Sequence, residues 1–354
     1  MQGFIYPGAK GVKNPCSNLW KETSTYYILQ GLFSVILFLF AGCAETPGAE
    51  HIELTAADGR EIKLPDSLYF SAIADITSGA AGNLYVIESE NYVLTKFSSN
   101  GTLKERFARA GEGPGEFSSA PESICVAEGK VYVAVRSKRQ IPVYGQNLSF
   151  QGNFKLPEGA AFPYSISCGR DGYMTVGSME PRYRTNFMRY PLEGGVPVRL
   201  SLEKARGSMY WDRIVVAAHD DGTTVAAYRQ LPFLEIVNPE ATTRFALRMQ
   251  PLREVENLPK VKKRTLKEQV RMFQKQRPTK SVVWDVAMDR QKKIYVLGAD
   301  YSEIPHRQVY VYDLEGQHQS TITLPQAAGQ IHVRNGVLYA AEDGQTTLAA
   351  YKLP

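Results

Sequence analysis

Five histidines (His51, His219, His306, His318, His332) and four cysteines (Cys16, Cys43, Cys125, Cys168) are all that this 354-residue chain offers in soft metal ligands and thiols. No two histidines stand at ligand spacing on one element, so a three-histidine metal centre is not expected. Neither a Gly-x-Ser-x-Gly elbow nor a Cys/His arrangement of recognisable context occurs. Two carboxylates are more interesting. Asp75 and Asp285 sit inside the strand-like runs Ser71–Ile76 and Val282–Ala287, where backbone N–H groups could satisfy them or an oxygen-liganded calcium ion could use them. The other chemistry is arginine interleaved with tyrosine and acid. Arg109, Glu112, Arg136, Arg139, Arg182, Tyr183, Arg184, Arg229 and Tyr301 fall in the longer segments between strands. Guanidinium forks bind carboxylates and other anions, and tyrosine adds a flat apolar surface that suits a sugar.

What must position these residues is read from a repeat. The stretch Arg106–Phe117, RFARAGEGPGEF, packs three glycines and a proline into five residues and is followed by strand rather than helix. That order is wrong for a phosphate-binding glycine loop. It joins one strand to another, with glycine admitting left-handed backbone and Pro114 stiffening one step. Strand, Gly- or Asn-bearing turn, strand, strand, turn, strand recurs from Ser71, Ser123, Tyr164, Ile214, Val282 and Gly329. Six units of four short strands imply an all-β chain folded as a six-bladed β-propeller. The sixth unit lacks a fourth strand, and Ile52–Leu54, Gly59 and Ile62–Leu64 could supply it, closing the ring through both chain ends. The segment 251–280 breaks the pattern. Leu266, Val270 and Phe273 share one helical side among lysines and arginines, so a basic helical insertion is expected there.

The GEGPGEF loop, the Pro121 that follows, and the paired Ile-x-Val and Tyr-Val strands resemble NHL-type repeats. They are similar to the corresponding loop of bacterial six-bladed β-propeller lipoproteins. Only the unit at 106–145 carries the sharp motif, while the general resemblance runs over about 50–354. It implies a rigid disc that binds through one face. Some propellers of this shape, of the lactonase and amidating-lyase types, hold a divalent metal near the axis. By that resemblance Asp75 and Asp285 would be its ligands here.

The front end reads as a targeting segment. Lys10, Lys13 and Lys21 precede an apolar run from Tyr26 to Ala41 that ends Leu39-Phe-Ala-Gly-Cys43. This ending resembles a lipobox, so residues 1–43 are expected to act as a lipoprotein signal with Cys43 as the lipidated residue. Phe40 and the long basic region depart from the usual pattern. Residues 44–50 would be a tether and 51–354 the propeller. The alternative is an uncleaved anchor helix, although the run falls short of the ~20 apolar residues that span a bilayer. Without residues 1–42 the chain loses three lysines and one glutamate from 41 basic and 36 acidic residues. The balance of about +3 gives no case for nucleic acid. Cys125 and Cys168, each in an expected strand, are read as buried small hydrophobes rather than as a bridge.

Strand direction divides the loops. Those after the second and fourth strands of each unit share one face and carry the arginines and tyrosines named above. Those after the first and third are tight turns on the other face, with no function expected of them. The expectation is therefore a non-catalytic, membrane-tethered, extracytoplasmic propeller, periplasmic or on the cell surface. It would bind an envelope protein or a saccharide or other anionic ligand through its loop-rich face, without a cofactor. A metal-dependent hydrolase or lyase is the alternative, and a docking disc in an envelope assembly is a third reading, because one fold hosts all three.

Overall fold

The computed structural model describes residues 49–135, 138–157, 160, 162–179, 185–200, 213–240, 244–249, 281–298, 306–342 and 344–354. Cys43, Arg136, Arg182, Tyr183, Arg184, Tyr301 and the segment 251–280 lie outside these residues. Two short strands, β1 (Glu50–Glu53) and β2 (Gly59–Glu61), come first. Blade 1 is β3 (Ile73–Ser78), β4 (Leu84–Glu88), β5 (Val93–Phe97) and β6 (Leu103–Ala108). Blade 2 is β7 (Pro121–Ala127), β8 (Lys130–Val135), β9 (Gln140–Gly145) and β10 (Phe150–Lys155). Blade 3 is β11 (Phe162–Cys168), β12 (Tyr173–Met179), β13 (Thr185–Pro191) and β14 (Val198–Leu200). Blade 4 is β15 (Ile214–Ala218), β16 (Thr224–Tyr228), β17 (Phe233–Val237) and β18 (Arg244–Arg248). Blade 5 is β19 (Val283–Met288), β20 (Ile294–Gly298), β21 (Gln308–Tyr312) and β22 (His318–Thr323). Blade 6 is β23 (Ala328–Arg334), β24 (Val337–Glu342) and β25 (Thr347–Lys352). Each blade is an antiparallel meander, and the chain is a six-bladed β-propeller.

The N-terminal strands divide between two blades. Gly59–Glu61 pair antiparallel with β25 on the outer edge of blade 6. Glu50–Glu53 instead run parallel to β22 and give blade 5 a fifth strand. The stretch around Ile52 was expected at blade 6. Its side chain packs into the apolar layer between blades 5 and 6, so it faces the same neighbours from the other blade's edge.

The burial pattern shows why these residues make strands. In β8 every residue from Val131 to Val135 is buried, whereas outer strand β10 alternates half-buried Phe150, Gly152 and Phe154 with exposed Gln151, Asn153 and Lys155. A middle strand is covered on both faces by the blades beside it, so its sequence is continuously apolar; an outer strand meets water on one face. Among the described residues the apolar side chains form six clusters, one between each pair of neighbouring blades. Tyr85, Ile87, Phe117 and Tyr144 fill the junction of blades 1 and 2, and Ile76, Val86, Phe97, Tyr339 and Leu348 that of blades 1 and 6. The core is thus a ring of wedges around a central channel.

The GEGPGEF loop makes the crossover from β6 to β7. Glu116 folds back so that its carboxylate accepts the Gly113 N–H at 2.8 Å. Tyr144 donates its hydroxyl to the Gly115 carbonyl at 2.9 Å, and Phe117 is fully buried with its ring 6.0 Å from that of Tyr144. Gly115 has φ +76°, and a Cβ there would lie 2.6 Å from Phe150 Cβ. Glycine is required at this position on both counts.

Cys125 and Cys168 form a disulfide, contrary to the expectation of two separate buried thiols. Their strands β7 and β11 are the inner strands of consecutive blades and pack side by side. Ser123 Oγ accepts the Ile166 N–H at 3.0 Å, so residues 43 apart face each other, and Cys125 and Cys168 are also 43 apart. Within one repeat the two cysteines look unrelated. The ring puts them in register.

Candidate functional site

Inner strands line the channel, and a shared irregularity aims their side chains into it. In β3, β7, β11, β19 and β23 the ladder shifts register around Ala74, Glu122, Tyr164, Trp284 and Gly329. Such a bulge re-aims the residues beside it. The next residue in each of the first four is Asp75, Ser123, Ser165 and Asp285, and these latch one blade to the next. Asp75 accepts its own neighbour's N–H, Ile76, at 2.7 Å and that of Ile124 in blade 2 at 2.9 Å, and takes the Ser123 hydroxyl at 2.6 Å. Ser165 Oγ accepts the Val216 N–H at 3.1 Å. Asp285 accepts Val286 N–H at 2.9 Å and Ile331 N–H of blade 6 at 2.8 Å. Burial pushes both carboxyls above the usual range, and the Asp75 charge adds to the rise at Asp285.

These four residues form a waist between two cavities. On the loop-bearing face a cavity of about 160 Å³ is lined by Tyr164, Arg213, Arg229, Trp284 and Gln330 above the waist. Arg213 pairs with Glu122 at 3.1 Å and its guanidinium lies 5.2 Å from the Tyr164 ring centre. Arg229 stands 5.8 Å over the Trp284 ring. Among the described residues the Arg229 side chain makes no hydrogen bond or ion pair. Arg229 Nε, Arg213 Nε and Trp284 Nε1 are buried without an acceptor among the described residues. Burial, then the like charge of Arg213, pulls the Arg229 guanidinium down to about 10. These donors face one cavity, an arrangement whose chemistry suits an anionic group.

On the turn-bearing face a larger cavity, about 460 Å³, opens from the same waist. His332 lies in it with Nε2 2.8 Å from Ser78 Oγ, joining blade 6 to blade 1. Burial, helped by the Arg334 charge, drops this imidazole to about 3, so it is neutral. The sequence offered no reason to expect the larger cavity on this side.

The residues singled out in the sequence separate into two groups. Arg229, Asp75 and Asp285 meet in the channel. Arg109, Glu112 and Arg139 do not join them. Arg109 donates to the Leu148 carbonyl at 2.7 Å and lies 5.4 Å from the Tyr144 ring centre, bracing the crossover loop. Glu112 pairs loosely with Lys138 at 3.5 Å beside a cavity of about 300 Å³ on the rim. Arg139 stacks on Phe162 at 5.2 Å. Arg213, Tyr164, Glu122 and Trp284 were missed. Their signal was positional: Glu122, Tyr164 and Trp284 each precede the latch residue of an inner strand. As a metal centre the waist fits poorly, because each carboxylate already takes two backbone amides. No three His, Cys, Asp or Glu side chains converge among the described residues.

No family model matches the chain, and no curated protein matches it. Solved structures do. Regucalcin from Agrobacterium tumefaciens, a calcium-binding protein, superposes with TM-score 0.53 at 13% identity over 86% of this chain and 97% of its own. Virginiamycin B lyase from Staphylococcus aureus gives 0.53 at 9% identity over 83% and 98%. A Bacteroides thetaiotaomicron protein of unknown function gives 0.53 at 9% over 83% and 72%. The likeness is one of fold. At such identities the propeller architecture is shared and the chemistry of each protein is its own.

Proposed function

We propose that this propeller is a non-catalytic, membrane-tethered, extracytoplasmic binding protein that takes an anionic ligand at the loop-face mouth of its channel. The observation that carries this reading is Arg229, a half-buried guanidinium whose buried Nε has no acceptor among the described residues, beside Arg213 and the indole N–H of Trp284. A carboxylate placed there would take forked hydrogen bonds and relieve the repulsion between the two cations. The Trp284 and Tyr164 rings flank the site, so an acidic sugar, flat on its apolar side and charged at its edge, suits both features. The cavity holds about one such unit. The tether and compartment rest on the lipobox-like ending at Cys43, and the Cys125–Cys168 bridge supports them, since such bonds persist outside the reducing cytosol.

Calorimetric titration of the full chain with glucuronate, and with glucose as the uncharged control, tests the reading. Saturable binding of glucuronate that weakens about tenfold or more in Arg229→Gln supports it. Equal binding of both sugars, or binding untouched by the substitution, refutes it. The alternative, a metal-dependent hydrolase or lyase, draws on fold-level likeness to a lyase and a calcium-binding protein. It requires Asp75 and Asp285 to exchange amide partners for an ion, and stoichiometric calcium in the purified protein would favour it.

A further inference from the structure

We infer that the turn-bearing face of the propeller holds a second, independent ligand site, for a small molecule bearing a multiply charged oxyanion. The turns between first and second strands end in a left-handed position, occupied by Gly172, Gly222, Lys292 and Gly336 in blades 3 to 6. Two residues before it stand Arg170, Asp220, Arg290 and Arg334. The ring geometry therefore brings three guanidinium groups and one carboxylate to one side of the 460 Å³ cavity mouth.

The turns that carry them brace each other. A Cβ at Gly169 would lie 2.3 Å from the His219 carbonyl oxygen, so only glycine lets the blade 3 turn run this close to blade 4. Arg170 then reaches Asp220 at 3.3 Å. On the other side His219 Nε2 donates to the Arg290 carbonyl at 3.1 Å, tying blade 4 to blade 5. Arg334 feels Asp220, Arg290 and Arg170 as its charged neighbours. Yet among the described residues Arg290 and Arg334 make no ion pair and no side-chain hydrogen bond. Among the described residues Asp220 is paired with the cluster through Arg170, and Asp289, also at the mouth, is already spent on Gln291 N–H, Lys293 N–H and the Tyr295 hydroxyl. The opposite side of the mouth is lined by Ala80, Ala81 and Gly129, with Glu128 beside them. The cavity thus has a cationic half and a small-residue half. A phosphate ester or a polycarboxylate, its charge on the arginines and its uncharged part over the alanines, matches that division.

Calorimetric titrations of the full chain with inorganic phosphate and with citrate decide the matter. Saturable binding of either oxyanion is expected, weakened at least about tenfold in Arg290→Gln/Arg334→Gln and unchanged in Arg229→Gln. Binding of phosphate alone points to phosphate esters, of citrate alone to polycarboxylates. Arg334→Lys should recover only part of the loss, because a lysine cannot supply the fork. Without any substitution, phosphate or citrate should protect Arg290 and Arg334 of the wild-type protein from phenylglyoxal, read by mass spectrometry. Absence of saturable binding by both anions overturns the inference. So does loss of binding in Arg229→Gln with none in the double variant, which would assign the anion to the loop-face site alone.

Discussion

Reducing the bridge between Cys125 and Cys168 should lower the melting temperature of this propeller by about 6 °C. The bridge spans a sequence separation of 43 residues. In the chain-entropy account a loop of that length contributes about 4 kcal/mol at 25 °C by restricting the unfolded chain. A propeller of about 300 residues gains on the order of 0.6 kcal/mol per kelvin of entropy on unfolding, and the ratio gives the shift. The assay is paired calorimetric scans of the full chain with and without reductant, next to Cys125→Ala/Cys168→Ala under the same conditions. The wild type should move down on reduction, and the double variant should not move at all. An unreduced proteolytic digest should contain the two cysteine-bearing peptides as one linked species. Unchanged melting after complete alkylation of both thiols would refute the reasoning. An equal shift in the double variant would show that the reductant acts elsewhere.

Gly115→Ala should destabilise by about 1–3 kcal/mol in denaturant titration, since the residue holds φ +76° and the added Cβ meets Phe150; a neutral result would mean the crossover relaxes. Glu342 accepts the Tyr351 hydroxyl and is raised by burial to about 7 against 4.5 for the free group. The fold therefore binds more protons than the unfolded chain between those values, so this group's contribution is present at low pH and is lost as pH climbs through 7. Glu342→Gln should flatten that fall in melts recorded from pH 4.5 to 8, and an unchanged slope would remove Glu342 as its source. Arg229→Met should be neutral or stabilising in denaturant titration, because among the described residues this half-buried cation has no acceptor for its buried Nε. A loss beyond about 2 kcal/mol would show that the guanidinium has a structural partner after all.

The repeat was legible because a blade is a local object. Alternation in Phe150–Lys155, continuous burial in Val131–Val135 and Gly or Asn at the turns all follow from covalent neighbours and one sheet's two faces. The crossover loop was legible for the same reason: GEGPGEF closes on itself through Glu116 and Gly113. Arg229 was also found from its place after a second strand, which is a matter of strand parity. The sequence alone thus determines the all-β meander, the count of blades and the faces on which loops emerge. It does not determine what meets across the ring. Asp75 reaches Ile124, Cys125 meets Cys168, Asp285 reaches Ile331 and Ser78 meets His332, at separations of 43 to 254 residues that no local pattern encodes. Turn residues dismissed as hairpin chemistry become a cationic mouth once Arg170, Arg290 and Arg334 are carried to one side. Wrapping the meanders around an axis converts equal positions in successive repeats into neighbours, and only the tertiary structure supplies that operation.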